Sequence, residues 1–532
     1  MKKLIVTLAF SLSAAAFGAW EKVASLQIAD NQTLVQGISK VGEFAGHPEM
    51  GFLAGALIGT MPDQELFGSA RPDATRVLDI YGDVGAIENL SQGDLDGFDW
   101  ALIYPIAQSK AEFLAAHPGA VEKDGVIQFA RVDNDALEDD DDDEDADDDE
   151  EEKEPDDDPR YVAFSEDGKW VVLGDDIGQV RETLKGLKKS PDALPKNDLA
   201  KLQVTRAGIK LLEELLDKAV KELPDMDDDD AVSKEMTVKA IRYYKEMIKG
   251  AATFDFALRV SDRGIDLHGA TVTIAGSELD KVGRHALTEE TWKSVDPKAF
   301  LFALTAQDSG AQCVDLDAIV AIFKKHGIDL KKFFSVAEPV KDHAVITVDV
   351  QSIVASCVEA AKSGNFSPKQ LASLMQDVSA LSIGAIGDGY KVANPAIGVS
   401  IVLKDLTPAV DARTRFANIM PEAKDKALYS CLSLSLYSTL RALVPAVAVL
   451  PSVPEEARAD MKSFVQVLPA ENAGGIAFCG WREQGSLAYL MRVTPDEIKS
   501  FFQAFDAVQK KVAQSVKSAG DVCDDEDCDV EE

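Results

Sequence analysis

Thr253-Phe254-Asp255-Phe256-Ala257-Leu258-Arg259-Val260 is followed by Ser261-Asp262-Arg263-Gly264 and then by Ile265-Asp266-Leu267-His268-Gly269-Ala270-Thr271-Val272. Apolar residues alternate along both arms, and a glycine closes the short link between them. That is the pattern of an antiparallel hairpin. Upstream, a short strand at 202–204 precedes helical patterns at 209–220 and 238–248. The order strand, helix, helix, hairpin decides the class: α+β, with antiparallel sheet and helices packed on one face.

The same order returns twice downstream. Residues 344–350 read as a strand and 353–361 as a helix, and Ser367-Pro368-Lys369-Gln370 opens the next helix as a capping box with proline at its first position. A hairpin at 381–386, turning at Gly387-Asp388-Gly389, then leads to a second arm ending at Leu403. The third copy begins with a strand at 428–436, followed by helices at 440–449 and 455–467. Its hairpin arms are 475–481 and 486–493. Thr494-Pro495-Asp496-Glu497 then caps a helix whose Ile498, Phe501, Phe502, Phe505 and Val508 make one apolar face. Residues 300–305 and 316–325 add a strand and a helix.

A degenerate copy is expected in the N-terminal part, with strands at 100–106 and 125–130 and a hairpin pairing 161–164 with 170–173 across Glu166-Asp167-Gly168. Between these strands, residues 138–158 are all Asp or Glu except Ala146, Lys153 and Pro155. A block of like charge with almost no apolar residues cannot bury surface to offset its ordering entropy, so it reads as a disordered insertion. The expected organisation is a signal peptide at 1–18, an N-terminal α+β unit at 19–190, three α+β repeats at 191–290, 291–420 and 421–514, and an acidic tail at 515–532.

A chain of 532 residues, 46% hydrophobic and 28% charged, is long enough for several cores. Its first segment stands apart. Lys2 and Lys3 precede an apolar run from Leu4 to Leu12, interrupted by Thr7 and Ser11, and Ala14-Ala15-Ala16-Phe17-Gly18-Ala19 supplies small residues for cleavage after Gly18 or Ala16. The run is well short of the ~20 residues that span a bilayer. No cysteine follows to carry a lipid anchor. Export to the periplasm or the cell exterior is expected, and the short basic start has a bacterial look. The apolar stretches at 51–61 and 431–450 read as buried elements rather than membrane spans. The net charge of −37 excludes nucleic-acid binding through a basic patch. The acidic block is read as a solvated loop, a weak calcium binder or a dock for a basic partner. It lacks the EF-hand pattern, since Leu137 and Glu138 fall at the fifth and glycine positions of a loop begun at Asp133.

No HExxH, GxSxG or phosphate-loop motif occurs, and Gly384-Ala385-Ile386-Gly387-Asp388-Gly389 has a turn's spacing rather than a dinucleotide fingerprint. His47, His117, His268, His285, His326 and His343 are scattered, with none three or four residues from another. His268 follows Asp266 on one strand face and reads as a surface pair rather than a catalytic dyad. Cys313, Cys357, Cys431, Cys479, Cys523 and Cys528 permit disulfides in an exported protein. Cys431 and Cys479 lie on strands of one repeat, where they either meet or stay as buried thiols. Cys523 and Cys528 flank a carboxylate run and suit a local disulfide better than a metal. No catalytic, cofactor-binding or metal-ligating set is assigned.

The signal sequence, the hairpin turning at Ser261-Asp262-Arg263-Gly264 and the unit opening on Ala299-Phe300-Leu301-Phe302 resemble those of uncharacterised exported bacterial proteins that carry a repeated domain of unknown function. The resemblance carries no catalytic residue with it. The expected function is that of an exported, non-catalytic envelope protein with a binding or assembly role, its partner another protein or a second copy of itself. Low-affinity calcium binding and an unfamiliar exported hydrolase are the alternatives.

Overall fold

The computed structural model describes residues 21–53, 74–82, 98–129, 160–187, 191, 193–222, 238, 241–242, 244–306, 314–315, 321, 324–325, 334–336, 344–349, 352, 395–402, 410–448, 453–467 and 474–520. The signal segment, the acidic block 138–158, the hairpin expected at 381–389 and the tail from 521 lie outside them. The chain forms two compact units, Met1–Gln36 with Phe52–Glu214, and Gly37–Gly51 with Leu215–Glu532. Both combine helices with largely antiparallel sheet.

The first unit contains β1 (Glu21–Ile28), β2 (Arg76–Gly82), β3 (Phe98–Pro105), β4 (Val121–Lys123), β5 (Val126–Phe129), β6 (Arg160–Phe164), β7 (Trp170–Gly174) and β8 (Asp198–Val204). Its strands lie in the order β8-β1-β2-β3-β7-β6-β5-β4, each antiparallel to its neighbour. The hairpin expected at 161–173 is the β6–β7 pair. Phe129 and Arg160, which bracket the acidic block, are themselves cross-strand partners. β1, β2 and the helix α1 (Asn31–Ala45) are elements that the sequence reading missed.

Helices cover both faces of this sheet, not one as expected. β7 is buried at every position. Val171 and Leu173 join Tyr104, Ile127 and Val162 under Phe113 of α2 (Lys110–Ala116), whereas Trp170 and Val172 join Val77, Ile103 and Val126 under Val180 of α3 (Ile177–Gly186). A strand apolar on every residue has no side to turn to water, so each face demands a cover. Ser109 and Asp176 fix where the two covering helices begin, accepting from the backbone N–H of Glu112 and Gln179.

The second unit contains β9 (Ala251–Ser261), β10 (Gly264–Thr273), β11 (Leu301–Thr305), β12 (Val314–Asp315), β13 (Phe334–Val336), β14 (Ala344–Asp349), β15 (Pro395–Val402), β16 (Leu428–Leu434), β17 (Ile476–Glu483) and β18 (Ser486–Val493). Their order is β9-β10-β18-β17-β16-β11-β15-β14-β13, with β12 also paired to β15, and only β14–β15 is parallel. The opening hairpin forms as expected. Gly264, at φ +124°, packs so closely on the Val493 carbonyl that a Cβ there would clash. In the β17–β18 hairpin Gln484 and Gly485 both have positive φ, 39° and 86°, the conformation of a tight two-residue turn.

Strands are followed by helices at recurring hydroxyl or carboxylate caps. Asp30 accepts from the Thr33 N–H at 2.8 Å, and Thr205, which precedes α4 (Arg206–Glu222), accepts from Gly208 at 3.3 Å. Ser435 accepts from Ser438 at 3.1 Å. Further helices are α5 (Glu278–Lys281), α6 (Glu289–Lys293), α7 (Ala412–Ile419), α8 (Leu436–Ala448), α9 (Glu455–Val467) and α10 (Pro495–Gly520), and residues 241–242 and 244–249 are helical within the stretch expected at 238–248. α10 runs to Gly520, so the stretch expected as tail from 515 begins as helix. Among the described residues no helix is long and apolar enough to cross a membrane. In the stretch 51–61, expected to be buried, residues 51–53 are helical and Phe52 is 82% exposed.

Candidate functional site

Direct pairing across the second unit's sheet puts Asp266, Arg492, Ala477, Ser433, Phe302 and Ser400 in one row on one face. All six are buried. The next row on that face carries His268, Leu490, Cys479, Cys431 and Leu304. Phe416 and Ile419 of α7, with Met420 and Trp292, seal it. α7 is placed by Asp411, whose carboxylate accepts from Thr414 N–H and whose pKa is lowered by the Thr414 hydroxyl and backbone bonds.

Arg492 holds the charged end of the row. Its Nε donates to Asp266 at 2.6 Å and one Nη at 2.8 Å, and the other Nη reaches the Ile419 carbonyl at 2.9 Å and Glu422 at 3.0 Å. Glu422 also pairs with Arg263 in the β9–β10 turn. Burial opposes the charge on Arg492, but the Asp266 and Glu422 carboxylates outweigh it and raise its pKa. Burial likewise works against the Glu422 charge, and the Arg492 guanidinium reverses the sign and lowers its pKa. Every donor of Arg492 faces a fixed acceptor, so the group clamps β10, β18 and the turn after α7 together. The expected Asp266–His268 surface pair is overturned, because Asp266 is 1% exposed and spends both oxygens on Arg492. The signal in the sequence was a charge at an inward position of an alternating strand, on both Asp266 and Arg492. Their partnership spans 226 positions and becomes visible only with the register.

The opposite face is half open. Leu258, Leu267 and Met491 form one cross-strand row with exposures of 38%, 39% and 36%. Phe256 lies one row on, opposite Gly269, and its ring stands 5.8 Å from that of Tyr489. Gly269 is needed there: a Cβ would strike the Asp255 carbonyl, to which the Tyr489 hydroxyl donates at 2.6 Å. Burial raises the Tyr489 pKa, with the Asp255 charge adding to it, so the hydroxyl stays a donor. The result is a largely apolar surface on regular strands in which the Tyr489 hydroxyl is already satisfied.

A second apolar feature lies among α8, α9 and α10. A cleft of about 200 Å³ is lined by Leu436, Tyr437, Leu440, Phe464, Ala504 and the half-exposed Phe501 and Phe505. The single apolar face expected of α10 is therefore split, with Ile498 buried and the two phenylalanines at the cleft. Glu497 and Ser500 also border it, but Glu497 accepts from the Tyr437 N–H at 3.1 Å and Ser500 donates to the Asp496 carbonyl at 2.7 Å. Burial pushes the Tyr437 hydroxyl up to about 12.

Among the described residues no three His, Cys, Asp or Glu side chains converge as a metal site. His47 stacks edge-on with Phe502, and His117 stacks on Phe113 with its Nδ1 at 2.9 Å from the Phe113 carbonyl. Cys431 and Cys479 do meet: they are direct cross-strand partners, both free and buried. Cys313, Cys357, Cys523 and Cys528 lie outside the described residues. No protein-family model matches this chain, nor does any curated protein or solved structure.

Proposed function

We propose that the chain is an exported, non-catalytic envelope protein built from repeated strand-helix-helix-hairpin units, and that the open sheet face of its second unit binds the apolar surface of a protein partner. The half-exposed row Leu258, Leu267 and Met491 carries the reading, because apolar side chains grouped on rigid strands gain free energy when a partner removes them from water. The repeated organisation is supported by the way the two hairpins join. β10 and β18 pair antiparallel with His268 opposite Leu490, Ile265 opposite Val493 and Thr271 opposite Leu487. Counted from the turns, Ile265 matches Leu487 and Thr271 matches Val493, so the register is the one that two copies of a hairpin would take about a local two-fold. The strand-to-helix caps at Asp30, Thr205 and Ser435 repeat the same junction, and Asp349 with Ser352 Oγ at 2.6 Å repeats it after β14.

The cleft favours binding over chemistry. Its Glu497 carboxylate and Ser500 hydroxyl are engaged with backbone, and the Tyr437 hydroxyl bonds to Arg441 and is held protonated by burial. Leu267→Lys with Met491→Lys places two charges on the open face at positions that contribute little to the core. Sedimentation velocity and cross-linking in envelope extract should show an assembly with the native chain that the double variant loses at unchanged thermal midpoint. Equal assembly by both chains, or none by either, would overturn the reading.

A further inference from the structure

Cys431 on β16 and Cys479 on β17 stand directly opposite each other. Opposed residues of antiparallel strands have Cα atoms about 4.5 or 5.5 Å apart, and a disulfide spans about 4.4–6.8 Å. Direct pairing also turns both side chains to the same face, where they lie in one apolar cluster with Leu304, Leu490 and Ala477. Neither thiol has access to solvent, at 1% and 0% exposure.

Building on the export reading, we propose that Cys431 and Cys479 are joined by a disulfide in the mature protein, made while the chain folds and then sealed beneath α7. A folding chain in an oxidising compartment meets disulfide-bearing oxidants. The thiolate of one cysteine attacks an oxidant disulfide, forming a mixed disulfide and releasing one oxidant thiol. The second cysteine, as thiolate, attacks the protein sulfur of that mixed disulfide, closing the Cys431–Cys479 bond and releasing the other oxidant thiol. The two protons given up by the cysteines end on the oxidant sulfurs, and the oxidant takes the two electrons as it becomes a dithiol or two thiols. The timing follows from the site. In the folded, reduced chain burial pushes Cys479 up to about 12, with Glu422 adding to it, and drives Cys431 well above its ordinary value. Thiolate is then too scarce for exchange at neutral pH, so the bond must precede closure, and once closed it is shielded from reductant.

The test is peptide mapping of the full-length chain purified from the envelope fraction, denatured without reductant in an alkylating agent. The expected product is one cross-linked peptide pair containing Cys431 and Cys479, lighter by two hydrogens than the separate peptides. The N-terminus is sequenced on the same sample. Alkylated Cys431 and Cys479, or either bonded to another cysteine, in a chain processed near Gly18 overturns the disulfide. An intact Met1 overturns export instead. In that case the reduced chain is refolded with glutathione disulfide, where the same cross-link is expected and its absence overturns the disulfide independently. Cys431→Ser should leave an alkylatable Cys479 in either preparation.

Discussion

The two sheets solve burial differently. In the first unit β7 carries Trp170, Val171, Val172 and Leu173, apolar on both sides, and is roofed twice. In the second unit β18 alternates: Ala488, Leu490 and Arg492 are buried on one face, while Tyr489 and Met491 on the other are partly open. The two-faced core rests mainly on apolar packing, with polar contacts such as Tyr81 to Thr183 at its margin. A one-faced core leaves its reverse side free for other work, and here it includes a charged clamp that ties the sheet to its roof at one place.

That contrast is most exposed to failure at Arg492. Arg492→Met leaves Asp266 buried without its cation, and urea unfolding should show a loss of about 3–5 kcal/mol. The double variant Asp266→Leu with Arg492→Met should recover most of it. If the double change costs as much as the single, the clamp is not an ion pair in energetic terms. Val171→Ala removes packing from one face of β7 and should cost about 2 kcal/mol, with no rescue by any charge change. Ser435→Ala removes the cap at the β16–α8 junction and should cost about 1 kcal/mol, read as faster amide exchange in the first turn of α8. The smallest effect depends on pH. Glu422 has a folded pKa below the ordinary carboxylate value, so its contribution is complete above that value and fades as pH falls through the depressed one. Glu422→Gln should lower stability modestly at neutral pH and leave it unchanged in acid, so that the acid limb of the profile flattens. A steeper limb would contradict the pairing with Arg492.

Local pattern made much of this legible. The hairpins at 253–272 and 475–493 were readable because alternation and turn residues are short-range signals, and the α10 start was readable from Thr494-Pro495-Asp496-Glu497. β1 and β2 escaped because residues 21–28 and 76–82 pair with each other across a long separation, with no short hairpin link to announce the pairing. The second roof of the first sheet is not announced locally: the apolar run 170–173 marks an arm of a hairpin, as found, but does not name the helix that covers its other face. The clamp escaped for a third reason. Asp266 and Arg492 each look like a surface charge until the register shows both on the inward side, and Glu422 reaches them from a turn that no periodicity announces. Cys431 and Cys479 lay between these extremes: their strands were readable, but their opposition depended on β16 pairing with β17 over two intervening helices.

Phe129 faces Arg160 across the β5–β6 ladder, so the two ends of the connection that carries the acidic block are held together by the sheet itself. The ladder does not rely on that connection for its alignment, which Val126–Ala163 and Ile127–Val162 already set. Closing a connection costs free energy only as the logarithm of its length, about 0.6 kcal/mol per doubling. Evolution can therefore lengthen, shorten or recharge the segment almost without reference to the core. For the same reason a cut in that connection would leave two new ends that start from neighbouring, still paired strands.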